Sequence, residues 1–65
     1  MIGVLHPLNR AARRLGVPAR WLRAEAEAGR VPYLKAGSRL LFNVSAVSDV
    51  LARRAAETGK GVSHV

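Results

Sequence analysis

Sixty-five residues make one small domain with one core, too short for a multidomain enzyme, a solenoid array or a conventional nucleotide-binding fold. Eleven Lys and Arg against four Asp and Glu give a net charge of +7, which selects polyanionic partners, nucleic acid first. With no cysteine there is no disulfide or thiolate metal site, and no apolar run approaches the roughly 18–20 residues that span a bilayer.

Met1 to Leu5 lack a basic stretch ahead of a long apolar one, which predicts no secretory signal and a cytoplasmic protein. Residues 1–40 carry eight Lys and Arg against two Glu, and residues 41–65 carry three against two acids, so the first forty should face the polyanion. Nine of the eleven basic residues are Arg, whose planar fork places two donors on a phosphate or a guanine edge.

A first helix is predicted over 8–15, with Pro7 in its first turn and Leu5 or His6 just outside. Leu8, Ala11, Ala12 and Leu15 fall at helical spacing on one side, and Arg10, Arg13 and Arg14 occupy the rest. Gly16 closes this helix, and Val17 is an apolar anchor at a tight corner. A second helix follows over 18–28, opened by Pro18 and stopped by Gly29; two short helices joined this closely read as helix-turn-helix. Leu22 and Ala26 mark its inner face, with Trp21 read as packing, whereas Arg20, Arg23, Ala24 and Glu27 point the other way. Arg23 and Glu27, four apart, are set to pair with each other.

The period then changes. Strands are predicted over 33–35 and 40–42, a two-stranded hairpin turning at Gly37, with Lys35 and Arg39 flanking its tip and Leu34, Leu41 or Phe42 pinning it to the helices. Tyr33 and Phe42 are read as core or hairpin packing. Asn43 or Ser45 caps a third helix over 45–58, with Val47, Val50, Leu51 and Ala55 as its apolar stripe. Gly59 ends it, leaving residues 59–65 as a flexible tail after a domain of residues 5–58.

The segment 9–51 resembles the excisionase-type and MerR-like winged helix-turn-helix DNA-binding domains. The resemblance rests on Ala11-Ala12-x-x-Leu15-Gly16-Val17, on Gly29-Arg30-Val31-Pro32, on Gly37-Ser38-Arg39, and on Val47 with Val50-Leu51. It implies a mainly helical fold with a small antiparallel hairpin, the second helix in the major groove and the hairpin wing on adjacent backbone or minor groove. Residue by residue, it puts Ala19, Arg20, Arg23 and Ala24 at groove-facing positions and Arg30, Lys35 and Arg39 near or on the wing. Arg14, next to the inter-helix turn, is the expected backbone contact from the first helix. Pro18, Trp21 and Glu25 stand where the family usually has a small polar residue, a threonine or serine, and an apolar core residue.

The function implied is that of a double-stranded DNA-binding protein, a recombination accessory factor of the excisionase kind or a transcriptional regulator. Its expected partners are DNA, a second copy on an adjacent half-site, and an integrase or RNA polymerase. A protein-interaction module with the same fold and little DNA binding is the alternative, motivated by Glu25, Glu27 and by Trp21 if it is exposed instead of packed. A membrane-active helix is disfavoured by the breaks at Pro18, Gly29, Pro32 and Gly37. His6 and His64 sit near opposite termini, the serines lack a rigid base, and Glu25 and Glu27, two apart, point different ways, so neither catalysis, a metal, a cofactor nor a small-molecule substrate is expected.

Overall fold

The computed structural model describes residues 4–62, the last five of them as backbone path alone. The chain is mainly helical with a small antiparallel sheet, in the order β1 (Leu5–Pro7), α1 (Leu8–Leu15), α2 (Ala19–Glu27), β2 (Leu34–Ala36), β3 (Arg39–Asn43) and α3 (Val44–Val62). Pro7 and Pro18 stand one residue before their helices as extended N-caps, φ −67° and −65°, not within the first turns. The Pro18 carbonyl accepts the first α2 bond from the Leu22 N–H at 3.0 Å.

Both short helices stop by the same device. Gly16 and Gly29 take left-handed φ of 74° and 79°, which a side chain would strain. Each reversal folds the next amide back over the last turn: Val17 N–H donates to Ala12 O at 3.0 Å, and Arg30 N–H to Glu25 O at 2.9 Å. Val17 and Val31 then pack against and within the core. The anchor read at Val17 is in place, and Val31 repeats it.

The core consists of Ala11 and Ala12 of α1, Leu22 and Ala26 of α2, Val31, Phe42 of β3 and Val47 of α3. Alanines on α1 leave room for close neighbours, and this helix touches α2, α3, β1 and β3. Phe42 is the largest fully buried side chain, so it pins the sheet to the helices. Trp21 packs partly against the same cluster.

The sheet has three strands, not the two expected. β3 is central in the order β1-β3-β2, with Leu5 opposite Asn43, Pro7 opposite Leu41 and Leu34 opposite Leu41. A three-residue strand ending in proline has no periodicity to read. It forms because β3, some thirty-five positions along the chain, supplies its ladder, and proline is tolerated on an edge. The hairpin strands lie one residue from the predicted spans and meet at Gly37-Ser38, where a positive φ at Gly37 alone gives the sign pattern of a type II′ turn.

Alternation puts Leu40 and Phe42 toward the helices and Leu41 and Asn43 on the outer face, with Arg39 beside the turn at the strand's start. Leu34 shares that outer face and is 51% exposed, and Tyr33 is 43% exposed and lines a hollow with Leu34 and Leu41, so of the three residues offered as the pin Phe42 is the buried one and Tyr33 stands outside the core. Asn43 caps α3, its Oδ1 accepting the Ala46 N–H at 3.1 Å. Helix α3 starts at Val44 and passes Gly59, the expected stop, to reach Val62. Its stripe packs through Val47, Val50 and Leu51, whereas Ala55 is exposed. Of the predicted tail, residues 63–65 with His64 lie outside the described residues, as do 1–3 of the Met1 to Leu5 stretch. No described helix is long and apolar enough to cross a membrane.

Candidate nucleic-acid interface

The phase of α2 decides what its charges do. Leu22, Glu25 and Ala26 are buried, which turns Arg20, Arg23, Ala24 and Glu27 outward, as the spacing predicts. Ala19 departs from the expected groove-facing set, because it packs partly against the core. Ala24 is exposed among the longer side chains and lets a flat or grooved surface come close to the helix backbone.

Arg23 and the hairpin tip border the same hollow. Arg23, Ser38, Arg39, Leu40 and the α1 start at Pro7, Leu8 and Asn9 line one open concavity of about 360 Å³. A second concavity shares Pro7 and Asn9 and adds Arg10 and Arg13. Arg10, Arg13, Arg23 and Arg39 therefore border a continuous surface, with no acidic residue in either lining. Asn9, Arg10, Arg13 and Ser38 were not singled out from the sequence over their neighbours. On α1 the apolar side at Leu8, Ala11, Ala12 and Leu15 sets the rotation, but which flank of arginines borders the hairpin tip follows from how the elements pack.

That rotation removes Arg14 from the site. It lines a different concavity, about 440 Å³, with His6, Ser45, Ser48 and Asp49 beside the start of α3. Lys35 also separates from Arg39. It pairs in register with Leu40, one rung in from the turn, and does not line the concavity that Arg39 borders at the tip.

Arg30, expected near the hairpin's nucleic-acid surface, is instead held by Glu25. Its Nε and Nη2 donate to the two Glu25 carboxylate oxygens at 2.9 and 3.1 Å. Arg54 of α3 donates from Nη1 to Glu25 Oε1 at 2.9 Å, with its guanidinium 5.9 Å from the Trp21 ring centre. Glu25, 7% exposed, thereby ties α2 to the following link and to α3. The Arg30 hydrogen bonds, opposed by burial and helped by Arg54, lower its carboxyl from 4.5 to about 2. The same contact raises the Arg30 guanidinium pKa. A glutamate at this buried phase is therefore a tether between elements, not an exposed partner-binding residue.

Arg23 Nε donates to Glu27 Oε2 at 3.1 Å, the i,i+4 pair the spacing predicts. With both side chains about 60% exposed, it adds only about 0.3–0.5 kcal/mol to the helix. Arg20 and Arg39 have no carboxylate partner among the described residues. Among the described residues no three His, Cys, Asp or Glu side chains converge on a metal position.

Apolar surface gathers elsewhere. Leu5, Pro32, Tyr33, Leu34 and Leu41 line a shallow, uncharged hollow on the outer face of the sheet. Comparison with family models, curated proteins and solved structures gives no match.

Proposed function

We propose that the chain is a winged helix-turn-helix domain that binds double-stranded DNA in the cytoplasm, with α2 in the major groove and the β2–β3 hairpin as the wing on adjacent backbone. The observation that carries this reading is the shared concavity of Arg23 and Arg39, continuous with Arg10 and Arg13 and free of acids in its lining. Positive charge on two elements that border one open concavity suits a duplex, whose backbone and groove are offset from each other. Arg20 and Arg23 are the base-reading residues, because an outward arginine can fork onto guanine. Arg39, Arg10 and Arg13 are the phosphate contacts.

The domain acts by position and not by chemistry, as an excisionase-like recombination accessory factor or a transcriptional regulator. One α2 covers few base pairs, so useful affinity comes from a second copy on an adjacent half-site or from an integrase or polymerase already on the DNA. Selection of duplexes from random sequence at 50 and 200 mM salt tests the reading. A recovered motif, with affinity falling steeply between the two salts, supports it; no duplex binding at 50 mM salt ends it.

A protein-interaction module is the second reading, and the apolar outer sheet face is what favours it, in place of Glu25 and Trp21. A complex that survives 0.5 M salt, from a chain without salt-dependent DNA binding, would establish it.

A further inference from the structure

We infer that Glu27 is a positioning residue that aims Arg23 at guanine and withholds it from phosphate, an inference that rests on the DNA-binding reading. A guanidinium has one Nε–H and two Nη groups. Glu27 takes the Nε–H, at 3.1 Å, and neither Nη group is bonded to a carboxylate among the described residues. The end-on fork onto guanine O6 and N7 needs one N–H from each Nη and nothing from Nε. The side-on approach, which uses Nε and one Nη, is the one the carboxylate blocks. Glu27 thus selects among the ways Arg23 can dock.

Charge gives the second half of the inference. Paired with Glu27, Arg23 belongs to a net-neutral couple that displaces few counterions on its own, so it is a weak phosphate ligand. Arg39 lines the same concavity with no carboxylate partner among the described residues, which suits it to the backbone. The two arginines of one site are thereby divided into a reader and a clamp. The pair's exposure means that removing Glu27 leaves the core intact, so binding can be compared at equal fold.

The test uses the full chain with the duplex recovered by selection and with versions of it in which each guanine is replaced. The guanine read by Arg23 is the one whose replacement no longer matters in Arg23→Ala, and wild type should prefer it about tenfold. Glu27→Ala should bring that preference toward unity while tightening binding to random duplex at low salt, with a salt slope steeper by up to about 0.9 as Arg23 turns to phosphate. Glu27→Gln, which still offers Nε an oxygen, should keep most of the preference. Circular dichroism melts of both variants should stay within about 4 °C of wild type, the shift expected from losing one exposed pair. Full preference in Glu27→Ala would overturn the inference, as would an equal loss from Glu27→Ala in an Arg23→Ala background, or a selected site with no guanine that Arg23→Ala affects. Wild-type chain that binds no duplex at 50 mM salt overturns the DNA-binding reading with it, which separates the two failures.

Discussion

Glu25 and Glu27 lie two residues apart on one helix, and each is bonded to arginine. Glu25, on the buried side, accepts from Arg30 and Arg54 and ties three parts of the fold together. Glu27, on the outer side, accepts from Arg23 and from no other side chain among the described residues, in water. The difference teaches that the same carboxylate–guanidinium chemistry is structural or available for binding according to which side of the helix it leaves from, a matter of about 200° of helical rotation. On the inner side the Glu25 carboxylate is buried, so losing its arginines leaves a charge without compensation, although the Arg30 and Arg54 side chains stay 57% and 38% exposed; the outer pair is screened and exchangeable on both sides.

The comparison breaks altogether if the core beneath it goes. Phe42→Ala should cost about 3–5 kcal/mol, as much as a core of this size supplies, so the variant should lack a cooperative thermal transition and both glutamates should lose their settings. If it melts as wild type does, Phe42 is not the anchor of the sheet. Next in size is Arg23→Ala, which should remove about 1–3 kcal/mol of discrimination at one base pair, leaving binding to random duplex little changed, measured by competition between selected and substituted duplexes.

Acid sharpens the inner side. The Glu25 carboxyl is lowered in the folded chain, so its contribution is fully present above about pH 4.5 and is lost as pH falls through about 2. Melting temperature should fall across that window with an extra uptake approaching about one proton. Glu25→Gln should melt lower than wild type at neutral pH and converge with it near pH 2. Parallel curves would mean that the Arg30 and Arg54 contacts do not hold in solution.

Salt sharpens the outer side. Arg39→Ala should flatten the dependence of log affinity on log salt by about 0.9, the release expected from one lost phosphate contact. The smallest effect is assigned to Arg14→Ala, which should leave that slope unchanged, since Arg14 lines a different concavity from Arg23 and Arg39. A slope reduced as much by Arg14→Ala as by Arg39→Ala would move the DNA surface to the start of α3.

Much of this was legible in the chain because it is local. Proline before and glycine after each short helix, the three-and-four spacing of Leu8, Ala11, Ala12 and Leu15, and the Gly37 turn act within a few residues and need no partner. The same spacing turned Arg20, Arg23 and Glu27 outward together. Pairing between distant segments carries no such signature: Leu5–Pro7 becomes a strand only because β3 lies beside it, and which flank of α1 borders the surface of Arg23 and Arg39 follows from how the elements pack. Arg14 was chosen from its nearness to the corner, a one-dimensional reason, and the helix rotation sent it elsewhere.

Sequence alone therefore determined the two helices, the glycine corners, the hairpin turn and the outward side of α2, all consequences of backbone geometry and short-range spacing. Tertiary structure decided the third strand, the capture of Arg30 by Glu25, the exposure of Tyr33 and Leu34, and the gathering of Arg10, Arg13, Arg23 and Arg39 on one surface. These depend on which elements meet in space, and contacts between residues far apart in the chain are set by packing around Phe42, which no local pattern encodes.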